Sequence, residues 1–286
     1  MASTARRRWT NRAGRRLLAE LPVARVLLSL GLLYAGLCLL AYLVSDRMIF
    51  LAPPATYRDS GQILRLTTAD GVQISAIHLV NPPAEYTLLY SHGNAEDLGL
   101  VAPLLARLRE WGFAVLAYDY RGYGMSQGTP SERGAYEDVD AAYAYLTRAL
   151  GVSPRRIIAY GRSVGSGPAV DLATRRPLAG LIVESGFVTA FRVLTRVPLL
   201  PFDKFRNADK IARVSCPVLV MHGMQDEVVP FAHGRRLFGA APEPKRFLWV
   251  DGAGHNDFML VAGDRQAQAL REFAALVRQS QAAGGT

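Results

Sequence analysis

The chain has 286 residues, is half apolar and carries a formal charge of +9. That length and apolar content suit one sizeable core and exclude general disorder away from the ends. The charge is uneven. Residues 1–25 hold Arg6, Arg7, Arg8, Arg12, Arg15, Arg16 and Arg25 against Glu20 alone, so most of the excess is a basic tail. The body shows no nucleic-acid motif, and no nucleic-acid partner is expected.

Val26 to Val44 reads VLLSLGLLYAGLCLLAYLV, an uncharged run between Arg25 and Asp46. As a helix it covers roughly 30 Å, one hydrocarbon thickness. It is longer than a cleaved leader's apolar core, and Ser45-Asp46-Arg47 offers no small-residue cleavage site. The expected organisation is a basic cytoplasmic tail over 1–25, a single transmembrane anchor over 26–45 and a globular domain over 46–280. The arginines place the N-terminus in the cytoplasm. With the Arg- and Ala-rich composition, this suggests a bacterial inner membrane with the domain in the periplasm. Cys38 and Cys216, the two cysteines, form no disulfide framework.

Beyond a Pro53-Pro54 connector, Ile63–Leu66 and Val72–Leu79 read as a hairpin turning at Ala69-Asp70-Gly71. From Tyr86 onward, strand and helix alternate. Strands are expected at Tyr86–Tyr90, Phe113–Tyr118, Arg156–Tyr160, Gly180–Glu184, Val218–His222 and Phe247–Val250. Helices are expected at Leu98–Trp111, Glu132–Leu150, Val164–Arg175, Ala232–Phe238 and Asp264–Gln279. The long helix should bury Val139, Ala142, Tyr143, Leu146 and Leu150. Several strands are apolar without alternation, so both sheet faces are covered. The class is α/β, with a mostly parallel sheet and an antiparallel start. The irregular span 188–214 sits where a short lid is inserted, and its apolar stretch Phe187–Val197 either lines an acyl pocket or packs the core.

Gly161-Arg162-Ser163-Val164-Gly165 fits a nucleophile elbow, with a strand before it and a helix after it. Glycine at both outer positions relieves crowding at the tight turn. Ser166 reads as helix-turn packing. A serine nucleophile needs a base and an orienting acid. His255, in the glycine-rich loop after the last strand, is the expected base. His222 suits a buried supporting role, His233 a partly exposed one and His78 a structural one. Asp226, just past a strand end, is the expected acid, with Asp251, Asp257 and Glu184 as alternatives. The oxyanion donors are expected to be the N–H groups of Val164 and of Asn94, in the His92-Gly93-Asn94-Ala95 loop, with Ala95 as second choice. The bland reading of that loop is a turn with a left-handed Asn94. No His/Cys/Asp cluster has metal-ligand spacing, and no metal or other cofactor is expected.

The pieces SHGNAEDLG, AYDYRGYGMSQG, YGRSVGSGPAVDLA, PFDKFRNADKI, CPVLVMHGMQDEVVPFAHG and LWVDGAGHND run in order from residue 91 to residue 257. In them the chain resembles the α/β-hydrolase superfamily. Within it, the chain resembles the Bem46-like group that includes the alpha/beta hydrolase domain-containing proteins 13 and 17. The resemblance implies an α/β-hydrolase fold, with Ser163 as nucleophile, Asp226 as acid, His255 as base and an oxyanion hole from Asn94 and Val164. The type-17 members are protein depalmitoylases with a cysteine-rich N-terminus. Residues 1–25 here contain no cysteine, and a spanning N-terminus is nearer the type-13 arrangement. The expected function is a membrane-anchored serine hydrolase acting on esters or thioesters of small-molecule, lipid-like or acyl-protein substrates. A peptidase or amidase on the same triad and a non-catalytic membrane scaffold are the alternatives.

Overall fold

The computed structural model describes residues 12–59, 61–195 and 197–283, with the side chains of residues 12–22 left aside. Residues 1–11 of the expected basic tail, and Arg196 of the expected lid, lie outside the described residues. The chain divides into two compact units between Ser45 and Asp46.

In the first unit runs helix α1 (Arg12–Ile49), which continues a few residues into the second. Its stretch Val23–Ile49 has a mean hydropathy of 2.2, with the most apolar part not buried, so by length and composition it is apolar enough to cross a membrane.

The second unit is built on an eight-stranded sheet. The strands are β1 (Leu64–Thr67), β2 (Gln73–Leu79), β3 (Thr87–Ser91), β4 (Ala114–Tyr118), β5 (Ile157–Arg162), β6 (Gly180–Glu184), β7 (Val218–Gly223) and β8 (Lys245–Val250). Their spatial order is β1-β2-β4-β3-β5-β6-β7-β8. β1 pairs antiparallel with β2 and β2 with β4, and every later pairing is parallel. The helices α2 (Leu98–Glu110), α3 (Glu132–Ala144), α4 (Ser166–Arg175), α5 (Phe191–Leu194), α6 (Asn207–Ile211), α7 (Ala232–Ala240), α8 (Phe258–Ala262) and α9 (Asp264–Ala283) flank the sheet or join its strands. Strands β3, β4, β5, β6 and β7 are buried along their whole length. One core cluster holds Leu89, Leu116, Ala159, Leu181 and Val220, and the other holds Leu88, Val115, Ile158, Ile182 and Leu219. Neighbouring residues of each strand therefore feed opposite faces, and the unbroken apolar runs follow from helices covering both.

Two local differences from the sequence reading have physical causes. The helix from Glu132 does not stay α-helical to Leu150. Residues Tyr145–Ala149 form a π turn, and Leu150 comes out 41% exposed while Leu146 stays buried. One extra residue per turn moves position 150 off the buried stripe. The short helices α5, α6 and α8 were not foreseen, because four or five residues carry too little periodicity to read.

Candidate active site

The parallel strands all end at the same edge of the sheet, and the loops that follow them gather there. β5 runs into Ser163, β7 into Asp226, β8 into His255 and β3 into His92–Asn94.

Ser163 has φ 52°, the left-handed region that a serine enters only under constraint. The two outer glycines make this possible. A Cβ on Gly161 would run into the carbonyl of Gly165, and one on Gly165 into the carbonyl of Ser91. A 3-10 turn over Ser163–Gly165 leads into α4, so the helix begins two residues later than the sequence suggests. Ser166 Oγ donates to the Ser163 carbonyl at 2.6 Å and accepts from Asn207 Nδ2 at 3.1 Å, a packing role as expected.

His255 Nε2 lies 3.0 Å from Ser163 Oγ, and its Nδ1 lies 2.8 Å from Asp226 Oδ2. All three side chains are buried. Asp226 Oδ1 accepts from the N–H groups of Val228 at 3.0 Å and Val229 at 2.7 Å. His222 Nε2 donates to the Val229 carbonyl at 2.8 Å and lies 3.3 Å from Asp226 Oδ2. Burial works against the Asp226 charge, but contacts from His222 and His255 outweigh it and hold the carboxyl well below its usual range. An imidazole held this way by a carboxylate can take the proton from a serine hydroxyl.

The other acids are occupied elsewhere. Asp251 accepts from Gln225 Nε2 at 2.9 Å, and Asp257 accepts from Gly254 N at 2.7 Å. Glu184 is buried among Tyr160, Gln266 and Arg162. His78 is half-buried in β2, and burial pulls its pKa down. His233 corrects the sequence reading. It is buried rather than partly exposed, with Nδ1 accepting from Val188 N at 3.2 Å.

In the loop after β3 the left-handed residue is Ala95, with φ 54°, not Asn94. The Asn94 side chain donates to the Ile49 carbonyl at 2.7 Å. Its Oδ1 accepts from Leu51 N at 2.8 Å and from Tyr123 Oη at 2.7 Å. This clamp leaves the Asn94 main chain in the loop beside the elbow. Phe187 and Val188 are buried in the core, whereas Leu194 and Val197 are exposed, so the 187–197 run splits between packing and surface.

The sequence reading missed Arg162 and Glu96. Arg162 pairs with Glu96, lies 3.3 Å from Glu184 and donates to the His255 carbonyl at 2.9 Å. Glu96 also accepts from Gly93 N at 2.7 Å. Burial opposes the guanidinium charge, but Glu96, Tyr90 and Glu184 around it raise its pKa well above the ordinary value. The available signal was a charged residue at the end of an otherwise apolar strand, a placement that requires partners. No group of three or more His, Cys, Asp or Glu side chains with metal-binding geometry occurs among the described residues.

A serine on a strained strand-to-helix turn, beside an imidazole and a carboxylate at the strand ends of an α/β sheet, defines the serine-hydrolase class. Residues 82–201 match the family model described as "Serine aminopeptidase, S33". The chain is 41% identical to the alpha/beta hydrolase domain-containing protein 17B of Xenopus tropicalis over 207 residues, covering 71% of this chain and 72% of that protein. It is 44% identical over 196 residues to the 17C protein of Homo sapiens, covering 67% of this chain but only 59% of that protein. Among solved structures, it superposes on a Pyrococcus furiosus esterase, Pf2001, with TM-score 0.65 and 18% identity over 78% of this chain and 97% of that one. It superposes on the esterase RhEst1 of Rhodococcus with TM-score 0.60 and 19% identity over 76% and 99%. These likenesses show the α/β-hydrolase fold. The chain belongs to the alpha/beta hydrolase domain-containing protein 17 family. It is a serine hydrolase, which sets the scaffold alternative aside.

Proposed function

We propose that the protein is a membrane-anchored serine hydrolase that cleaves carboxylic ester or thioester bonds of acyl substrates through an acyl-enzyme. The observation that carries this is the Ser163–His255–Asp226 relay, with its 3.0 Å and 2.8 Å links. His255 removes the Ser163 proton as Oγ attacks the acyl carbonyl. The N–H groups of Val164 and Asn94 receive the oxyanion. His255 then returns the proton to the leaving alcohol or thiol. A water, activated by the same imidazole, attacks the acyl-enzyme and releases the acid. Asp226 keeps the Nδ1 proton in place throughout.

In this reading residues 1–25 are a cytoplasmic tail, 26–45 the anchor and 46–280 the catalytic domain, with 188–214 as a lid. The orientation rests on the arginines of the tail. The placement in a bacterial inner membrane rests on composition alone, and the curated relatives compared above are vertebrate proteins. A second reading, amide or peptide hydrolysis on the same residues, is favoured by the aminopeptidase description of the matching family model.

The test is turnover of p-nitrophenyl esters from C2 to C16, a thioester and an aminoacyl anilide by the full chain and by Ser163→Ala. The expected result is ester or thioester hydrolysis that falls by roughly 10⁴-fold or more in the variant. Anilide turnover above ester turnover would favour the peptidase reading. Equal rates in the two proteins would remove Ser163 from the mechanism.

A further inference from the structure

We infer that the outer rim of segment 188–214 rests on an anionic lipid surface. Leu194, Val197 and Leu199 enter the interface, and a headgroup phosphate sits among Arg192, Arg206 and Arg236. The inference rests on the membrane-anchored reading above and gives it a route by which acyl substrate reaches the site.

Three observations meet in this segment. The first is apolar exposure. Leu194 is 82% exposed, Val197 59% and Leu199 60%. Large aliphatic side chains this open, and this close in sequence, are unusual on a surface that meets only water.

The second is charge. Residues 188–214 hold six basic residues against two acidic ones. The acids are committed, and so are three of the bases, with Lys204 paired to Asp46, Lys210 to Asp171 and Arg206 to Asp209. Asp203 accepts from Thr189 Oγ1, Phe191 N and Lys204 N, and Asp209 pairs with Arg206. A cavity of about 320 Å³ opens here, lined by Arg192, Arg206 and Arg236, by the acidic residues Asp203 and Asp209, and by Leu200 and Phe202 among others. Arg192 Nη1 is buried there without a hydrogen-bond partner among the described residues. A buried guanidinium N–H with no acceptor is costly, and an anion is the acceptor that suits it. A cavity with arginine in excess over aspartate and an exposed aliphatic stretch in the same segment together match a phospholipid's phosphate and acyl chains.

The third is position. Lys204 Nζ lies 3.1 Å from both oxygens of Asp46, the first residue of the folded domain after the apolar run. Phe205, buried and held at φ 48°, meets the Phe50 ring edge-on at 5.9 Å. The segment is therefore fastened to the residues by which the domain joins the apolar helix. Leu199 is five residues from Lys204, so it cannot lie more than about 18 Å away. Interfacial apolar groups enter roughly 5–10 Å into the headgroup boundary.

The test uses the full chain in phospholipid nanodiscs, in a background lacking Cys38 and Cys216. A fluorophore is placed at Leu194→Cys and, as control, at Leu150→Cys, which precedes β5 at the opposite edge of the sheet. Nitroxide lipids are the quencher. The expected result is strong quenching at 194 and little at 150, with the signal at 194 rising when phosphatidylglycerol partly replaces phosphatidylcholine. Equal quenching at both positions overturns the inference. Quenching at 194 that ignores lipid charge overturns its headgroup half. On the unlabelled chain, Leu194→Ser/Val197→Ser/Leu199→Ser should lower the ratio of bilayer-resident to soluble ester turnover about tenfold, and an unchanged ratio overturns the route to substrate. Quenching needs no catalysis, so an inactive wild type would count against the hydrolase reading alone.

Discussion

Arg162 Nη2 donates a hydrogen bond to the main-chain carbonyl of His255 at 2.9 Å. The residue before the proposed nucleophile thus holds the loop that carries the proposed base. Through Glu96 the same guanidinium reaches the loop after β3, and through Glu184 the end of β6. One cation thus ties the end of β5 to the end of β6 and to the loops after β3 and β8. Arg162→Gln leaves Glu96 and Glu184 without it, and breaking a buried ion pair from one side costs about 3–5 kcal/mol. Misplacing His255 by an ångström costs about 10²-fold in kcat. Arg162→Lys should recover little, because an ammonium cannot serve three acceptors in different directions. Urea unfolding and ester kcat measured together check this. A variant with wild-type kcat would reduce Arg162 to a purely structural role.

The elbow makes a contrast between two glycines. Gly165→Ala drives its methyl into the Ser91 carbonyl, a main-chain atom of a central strand that cannot move aside. A loss of about 3 kcal/mol is expected, together with most of the activity. Gly239→Ala, in α7, meets nothing within 4 Å. It should stabilise by about 0.5–1 kcal/mol and leave turnover alone. Thermal unfolding of both variants is the measurement.

The fold was legible because its signals are local. Apolar strands such as Leu181-Ile182-Val183 and the glycines at 161 and 165 declare themselves without any knowledge of neighbours. That Ser163, His255 and Asp226 come together was legible because a strand-end position constrains where a side chain can reach. The buried supporting role of His222 was legible in the same way, but Arg162 and Glu96 were not, since Arg162 acts through partners 22 or more residues distant and through a carbonyl that no residue type announces. His233 misled for a related reason. A helix-opening histidine looks solvated until segment 188–214 folds over it. Leu150 failed because the π turn alters the period that the prediction assumed.

The clamp on Asn94 separates its two parts. Asn94→Ala removes the side-chain bonds to Ile49, Leu51 and Tyr123 but keeps the main-chain N–H. Stability should fall by about 1–2 kcal/mol. The kcat should fall by about tenfold, well short of the 10²–10³ that follows loss of an oxyanion donor. Steady-state kinetics on a short-chain ester reads this. A loss of 10³ or more would mean that the side chain itself serves the oxyanion.

Asp226 sets a pH dependence whose sign follows from its environment. Its folded pKa lies below the unfolded value of about 3.9. The carboxylate therefore contributes stability above about pH 4, and that contribution is lost as pH falls toward the folded value. Asp226→Asn removes the charge that His222, His255 and the Val228 and Val229 N–H groups are arranged to meet. The stability gap between wild type and variant should stay level from about pH 5 to about pH 8 and narrow below about pH 4. Over the level range the variant's kcat should be lower by about 10⁴-fold, because an amide at this position favours the wrong tautomer of His255. Urea titrations at acid and neutral pH, paired with ester turnover, give both readouts. A gap that widens on acidification would mean that Asp226 is not ionised in the folded protein, and the relay would then need another acid.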